Sequence, residues 1–239
     1  MENARLPIST GELRDLLGFY GVDDSGYVED LVALTKRSAE HGWTQQLGVA
    51  LPSYVDYIEY EESASYIRSF QPMLIAGLLQ SADYARALFR ASPMRMPPHR
   101  VDELVAVRMQ RQAVLSNDEP PRLCVIEGEA ALRGHVGGSK VMRSQLDHLQ
   151  ELAEHPSIEL QVLPFSAGAH AGVMGSFVIF GFPTQAFSDV VCVEHRTGTL
   201  YMETPEETDT YALTFDSLRS SALSPTESLD MITRVKQDL

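Results

Sequence analysis

The sequence predicts an α+β fold: a mostly antiparallel sheet of about five to six short strands, surrounded by helices and preceded by a short helical N-terminal segment. Three observations support this prediction. Apolar residues recur at helical spacing in several segments before residue 155, short β-branched runs follow between residues 158 and 202, and two strongly signalled helices close the chain. A chain of 239 residues that is 44% hydrophobic is long enough to bury such a core.

The N-terminal segment is predicted to be helical. Ser9 or Thr10 is a suitable N-cap for a helix that runs to Tyr20 and stops at Gly21. The apolar spacing predicts further helices at residues 27–41, 54–62, 81–90, 99–115 and 139–154. Strands are predicted at residues 65–70 and 122–127, and four more runs at 158–163, 175–182, 189–195 and 199–202 suggest an antiparallel sheet.

The two closing helices carry the clearest local signals. The segments Thr204-Pro-Glu-Glu207 and Ser224-Pro-Thr-Glu227 each combine a hydroxyl N-cap, proline at the first helical position and glutamate three residues after the cap. This combination predicts a capping box at both helix starts. Apolar side chains then recur every three or four residues, at Tyr211, Phe215, Leu218 and Ala222 and at Leu229, Ile232, Val235 and Leu239.

Composition excludes several classes of protein. The formal charge of −14 disfavours binding to nucleic acid, since DNA-binding domains usually present a basic surface. No apolar stretch reaches the roughly 20 residues of a membrane span, and no signal peptide is recognisable, so we expect a cytoplasmic protein without membrane contact. Cys124 and Cys192 are predicted to be buried free thiols, and the seven histidines have no metal-ligand spacing. We therefore expect neither a metal site nor a cofactor.

A series of short motifs resembles one family of bacterial regulators. The motifs are Tyr57-Ile-Glu59, Ile67-Arg68, Gly77-Leu-Leu-Gln80 with Tyr84-Ala-Arg86, Arg108-Met-Gln-Arg-Gln112, Glu129-Ala-Ala-Leu132 with Val136-Gly-Gly138, Gln161-Val-Leu-Pro-Phe165, Val193-Glu194, Leu200-Tyr201, Phe215-Asp-Ser-Leu218 and Ala222-Leu-Ser-Pro225. In their number and order they resemble the C-terminal domain of actinobacterial Xre-type helix-turn-helix regulators of the WhiJ-like, antitoxin-like group. The resemblance covers roughly residues 43–235.

The resemblance implies a division into two parts. Residues 1–44 resemble the remnant of a helix-turn-helix domain and its connecting helix, and residues 45–239 the α+β effector- or partner-binding domain, with the boundary near Gly42 to Pro52. Most of the DNA-reading unit of the family has no counterpart here. Four basic against eight acidic residues give residues 1–44 a charge of −4, so we expect no DNA-binding residues in this chain.

Two glutamates flank a glycine where a predicted strand meets a predicted helix. Glu127 and Glu129 are close enough in sequence to raise one another's pKa and to serve as an acid and a base. The alternative is that a glutamate at a helix N-terminus interacts favourably with the helix dipole. We favour this structural role and keep both residues as candidates for a binding site.

The remaining candidates are polar residues on strands and loops, with aromatic neighbours. Strand alternation puts Glu194 on the same face as Cys192 and Val190, and Arg68 is its proposed partner in an ion pair that is structural or lines a ligand pocket. His170 lies in a small-residue loop that a ligand can approach. The predicted ligand- or partner-binding residues are therefore Arg68, Glu127, Glu129, His170 and Glu194, with Tyr60 and Tyr84 as apolar walls.

Two functional hypotheses from different classes follow. The first is a regulatory domain that binds a small molecule or a small partner protein, forms a homodimer as its relatives are expected to, and binds DNA only if a complete helix-turn-helix is encoded upstream of Met1. The second is a family member without a DNA reader that has been recruited as an enzyme of secondary metabolism. Its cofactor-independent acid–base chemistry, such as cyclisation or isomerisation, would use Glu127, Glu129, His170 and Glu194, but no catalytic residue is inherited from the family.

Overall fold

The computed structural model describes residues 8–40, 52–93, 96–183 and 188–239. These residues form two compact units, one that ends at Glu59 and one that comprises residues 60–183 and 188–239. The predicted boundary at residues 42–52 lies almost wholly outside the described residues, as does the junction between the predicted parts at residues 44 and 45. Among the described helices, none is long and apolar enough to cross a membrane.

The described elements alternate between helices and short strands. The helices are α1 (Thr10–Phe19), α2 (Ser25–Glu40), α3 (Pro52–Ser63), α4 (Ala82–Arg90), α5 (Pro98–Arg111), α6 (Glu129–Arg133), α7 (Ser139–Leu152), α8 (Pro205–Ser221) and α9 (Pro225–Asp238). The strands are β1 (Tyr66–Gln71), β2 (Arg122–Gly128), β3 (Ile158–Leu163), β4 (Phe177–Gly181), β5 (Val190–His195) and β6 (Gly198–Met202). Short 3-10 turns lie at Gly77–Leu79, Gln112–Ser116 and Phe165–Ala167.

All six strands belong to one mixed sheet with the order β3-β2-β1-β4-β5-β6. The β1–β2 and β2–β3 pairs are parallel, and the other three pairs are antiparallel. The α+β prediction is thereby confirmed. One detail of it is wrong, because β3 does not join the antiparallel strands but pairs in parallel at the opposite edge. The helical connection through α7 carries the chain back to the starting end of the sheet, which makes β3 parallel to β2.

One hydrophobic core cluster of the larger unit lies on the face of the sheet that packs against α8, which we call the α8 face. Phe70, Ile126 and Phe177 project from β1, β2 and β4 on this face and pack with Phe215 and Leu218 of α8. The apolar positions predicted for the two closing helices are largely confirmed, since Ile232 and Val235 of α9 are also buried and Tyr211 and Ala222 pack against the α8-face cluster. Cys124 and Cys192 are buried free thiols, as predicted.

Most of the predicted helix caps form. The Ser9 and Ser224 side chains each accept a bond from the backbone amide three residues later, and the glutamates there complete both capping boxes. Ser81 caps α4 in the same way through the amide of Tyr84. The capping box predicted at Thr204 is wrong. Its hydroxyl donates to the Glu207 carboxylate at 2.8 Å instead of accepting from a backbone amide.

The smaller unit contains a pair of helices, α1 and α2. Gly21 follows α1 with φ +72°, a left-handed conformation that ends the helix as predicted. An ion pair between Arg14 and Glu29, 2.8 Å apart, links the two helices. No residue of α1 is buried, and Phe19 and Tyr20 at its end are largely exposed.

Candidate functional site

Glu127 is the next-to-last residue of β2, lies on the face of the sheet opposite to α8 and is completely buried. Its Oε1 accepts a hydrogen bond from the backbone amide of Ala76 at 2.8 Å, whereas Oε2 has no hydrogen-bond partner among the described residues. Burial raises the pKa of Glu127 to about 8, against the opposing effect of the Ala76 amide. The carboxyl group is therefore mostly protonated at neutral pH.

Tyr84 of α4 lies beside this carboxyl group and is also completely buried. Its hydroxyl accepts a bond from the Ile75 amide at 3.2 Å. Burial raises the pKa of Tyr84 to about 12, and the neighbouring Glu127 contributes in the same direction. The side chain thus supports the backbone that covers Glu127.

Buried amide side chains hold this covering segment in place. Gln145 of α7 accepts from the Ser81 amide and donates to the Leu79 carbonyl, both at 2.7 Å. Gln80 donates to the Ile75 carbonyl at 2.7 Å and accepts from Arg108 at 2.8 Å. Because these bonds fix the segment from both sides, the surroundings of Glu127 are a closed structural network.

Glu129 has a different environment from Glu127 although only Gly128 separates them. It is the first residue of α6, and its carboxylate accepts from the Phe165 amide at 2.8 Å and from Arg133 Nε at 2.7 Å. Burial opposes ionisation, but these donors outweigh it and lower the pKa of Glu129. The two carboxyl groups share no partner, so the structural role favoured from the sequence fits better than an acid–base pair.

Gly128 itself allows β1 and β2 to approach closely where both strands end. A Cβ atom at this position would lie 2.4 Å from the carbonyl oxygen of Pro72, far inside normal contact distance. Only glycine fits there without a movement of the backbone.

Arg68 lies on the α8 face of β1, which is otherwise apolar at its centre. Its guanidinium carbon is 4.8 Å from the centre of the Tyr66 ring, a cation–π contact. The Nε atom is buried without a hydrogen-bond partner among the described residues, although the side chain as a whole is partly exposed. Leaving a buried donor unpaired costs about 1–3 kcal/mol.

The predicted ion pair between Arg68 and Glu194 is wrong. The register aligns Arg68 with Ile179 and Val191 on the α8 face, whereas Glu194 shares the opposite face with Cys192. The alternation predicted for Glu194 is right, but the residue lies near the end of β5 and is exposed.

The last two predicted residues lie in separate places. His170 packs edge-on against Phe70, and its Nδ1 accepts from the Gly172 amide at 3.2 Å. Tyr60 packs against Tyr201, with ring centres 5.3 Å apart, and its hydroxyl lies 3.3 Å from the Glu203 carboxylate. The seven predicted residues thus do not surround one cavity but are distributed over both faces of the sheet.

A group of residues that the sequence did not suggest surrounds Arg68. Arg122 of β2 is the register neighbour of Tyr66, and Cys124 lies between Arg68 and Glu159 of β3. Arg219 of α8 and Arg122 both bind the Glu159 carboxylate, at 2.5 and 3.3 Å. We call Arg68, Arg122 and Arg219 the arginine cluster. Strand alternation is a sequence signal for Arg68 and Tyr66, but no sequence pattern brings Arg219 to them.

A pocket of about 360 Å³ lies beside the arginine cluster at the outer edge of β3. Its lining comprises Arg122, Ala153, Pro156, Ser157, Ile158, Glu159, Leu160, Pro225 and Leu229. None of the seven residues predicted from the sequence lines it. Cationic groups and apolar surface therefore meet at this end of the sheet.

The chemistry available at the two faces differs. Glu127 can exchange a proton but is enclosed, whereas the guanidinium groups stay protonated and can only bind and orient an anion. Among the residues that the structure describes, no three potential ligand side chains are grouped as a metal site would require.

Comparison with known proteins gives one match. No curated protein and no solved structure is significantly similar to the chain. The family model described as a domain of unknown function, DUF5753, matches residues 54–234, which is most of the chain and includes Arg68, Glu127 and the whole sheet. The chain belongs to the DUF5753 family.

Proposed function

We propose that the chain is the regulatory domain of a transcription-regulator-like protein, binds a small molecule or a small partner protein, and does not bind DNA alone. The observation that carries the ligand-binding part is Arg68. A permanently charged side chain without a carboxylate partner among the described residues lies at the margin of an apolar core. Such a group is typical of ligand-binding sites, because its guanidinium provides directed hydrogen-bond donors to a bound anion.

The regulatory part of the proposal rests on the resemblance to the Xre-type regulators. That family implies transcriptional control, a small partner protein and a homodimer, and these belong to the proposal. A cytoplasmic location, expected because no signal peptide is recognisable in the sequence, belongs to it as well. The charge supports a domain that leaves DNA contact to another chain or segment. With −14 overall, the chain repels the phosphate backbone.

The enzyme hypothesis receives less support from the geometry. Acid–base catalysis needs the acid, the base and the substrate within hydrogen-bond reach of one another. Glu127 is enclosed on one face, His170 packs against Phe70 on the other, and Glu129 is committed to α6 and Arg133. We therefore propose binding and not turnover.

The experiment that tests the function is a gene deletion in the host with transcript profiling. We expect a defined set of transcripts to change and to recover when the wild-type gene is restored. A strain that carries Arg68→Met should not recover. A strain that carries Arg143→Met, which removes an exposed arginine from α7, should recover fully.

Two results would contradict the proposal. The first is an unchanged transcript profile in the deletion strain. The second is conversion of a metabolite when the purified protein is incubated with host extract and the products are followed by mass spectrometry, which would favour the enzyme hypothesis.

A further inference from the structure

Three arginines in this acidic protein meet at one end of the α8 face. Arg68 lies over Tyr66, and Arg122 is opposite Tyr66 in the neighbouring strand. Arg219 reaches the same place from α8, because it binds Glu159, the register neighbour of Cys124 on β3. Residues 97 positions apart in the chain, Arg122 and Arg219, thus share one carboxylate.

The positive charge of the arginine cluster exceeds the negative charge around it. Among the residues that the structure describes, Glu159 is the carboxylate that pairs with both Arg122 and Arg219, and Arg68 forms no ion pair. One further carboxylate, that of Asp189, lies on this side beside Gly181, the register neighbour of Tyr66, and pairs with none of the described arginines. Three cations against two carboxylates leave a local excess of one positive charge in a chain of net charge −14.

The cluster is both anchored and accessible. Arg68 Nε is buried, whereas the side chains of Arg122 and Arg219 are 64% and 43% exposed. An incoming oxyanion can therefore reach guanidinium groups whose positions are already fixed by Tyr66 and Glu159. Pre-positioned forks of this kind favour carboxylates and phosphates, whose oxygens accept two parallel bonds.

The neighbouring pocket adds room for an apolar group. It shares Arg122 with the cluster, and its lining includes Glu159, the carboxylate that binds Arg122 and Arg219. It continues along the edge of β3 to Pro225 and Leu229. Its volume of about 360 Å³ lies at the lower end of the range for small-molecule sites. A ligand with a charged head and a compact apolar body matches this division.

We propose that the arginine cluster and the β3-edge pocket form a binding site for a small organic oxyanion, a carboxylate or a phosphate ester, with its charged group on the arginines and its apolar body in the pocket. This inference deepens the proposed function by naming the class of ligand, and it rests on that function for its regulatory meaning. The binding itself is a separate property of the purified chain.

Isothermal titration calorimetry of the full chain tests the site with two probes, benzoate and phenyl phosphate. The neutral benzyl alcohol has a similar apolar body and serves as the uncharged reference. We expect saturable binding of at least one anion, with weaker binding at high salt and none of benzyl alcohol. Tighter binding of benzoate would identify the head group as a carboxylate, and tighter binding of phenyl phosphate would identify it as a phosphate.

Variants assign the binding to the cluster. Arg68→Met should weaken binding about tenfold or more, because it removes a charged donor from the contact. Arg122→Met should also weaken binding about tenfold or more. Because the Arg122 side chain is largely exposed, this variant should fold and keeps the test valid if the Arg68 variant does not. Arg143→Met changes the net charge equally at an exposed position on α7 and should leave binding within about twofold.

The inference is overturned if the folded wild type binds neither anion, or if wild type and both cluster variants bind with equal affinity. Its failure can be told from failure of the proposed function. If Arg68→Met loses anion binding but its strain has normal transcripts, the inferred anion site is supported and the regulatory role is refuted. If the Arg68→Met strain has altered transcripts but the variant binds the anions as the wild type does, the regulatory role is supported and the anion site is refuted.

Discussion

The replacement Glu127→Gln tests whether the fold keeps this carboxyl group protonated. The two side chains have nearly the same shape, and glutamine retains an oxygen for the Ala76 amide, so the variant removes mainly the ability to ionise. We expect the variant to be more stable than the wild type at neutral pH. The advantage should disappear in acid.

The direction follows from the raised pKa. Below pH 4.5, the ordinary value, Glu127 is protonated in both the folded and the unfolded chain, and its titration does not affect stability. As the pH rises from 4.5 to about 8, only the unfolded chain releases the proton, so the wild type loses stability. At about 1.4 kcal/mol per pH unit, the loss between pH 5 and pH 7.5 is about 3 kcal/mol. Above pH 8 it stops growing.

Urea denaturation at a series of pH values measures the effect. The quantity to plot is the free energy of unfolding of Glu127→Gln minus that of the wild type, which cancels the pH dependence of all other groups. Glu129→Gln is a matched control with the opposite sign, since its lowered pKa makes the ionised form stabilising and the variant progressively less stable as the pH rises. A difference for Glu127→Gln that stays constant from pH 5 to pH 7.5 would refute the reasoning.

Two further changes probe the packing of the larger unit. Gly128→Ala should lower the free energy of unfolding by about 1–3 kcal/mol, because its Cβ would overlap the Pro72 carbonyl. Gly134→Ala is the control and should change the free energy of unfolding little, since no atom lies closer than 3.5 Å to its Cβ position. Equal urea midpoints for the two variants would contradict the close approach at Gly128. Glu61→Leu should cost about 3–5 kcal/mol by removing the carboxylate that accepts two bonds from buried Arg111, at 2.7 and 2.8 Å. Thermal unfolding measures this loss, and a variant as stable as the wild type would show that the pair does not stabilise the fold.

The sequence was a good guide where local chemistry decides the structure. The N-cap at Ser9, the capping box at Ser224, the strand positions and the buried cysteines depend on a few neighbouring residues, and these predictions are confirmed. Glu194 also lies on the face that alternation predicts. These features need no knowledge of which strands are neighbours.

The candidate site depended on information that the sequence pattern lacks. The predicted pairing of Arg68 with Glu194 is wrong because register and strand order determine which side chains of two strands share a face of the sheet. A shift of one residue in register moves every side chain of a strand to the opposite face. Arg219 and Glu159 meet only because α8 packs across β3. At Gly128 the spacing changes from strand to helix, so the two glutamates on either side of it diverge.

The position of β1 at the centre of the sheet also affects how the chain folds as it is synthesised. Tyr66 pairs with Arg122 of β2, and Phe70 pairs with Phe177 of β4. The two neighbours of β1 are therefore synthesised more than fifty and more than one hundred residues after it. Pairings so distant in sequence are slow to form. A nascent chain that has not reached β4 therefore presents an open edge of β1, and we expect truncated products that end before Phe177 to aggregate instead of accumulating as a folded subdomain.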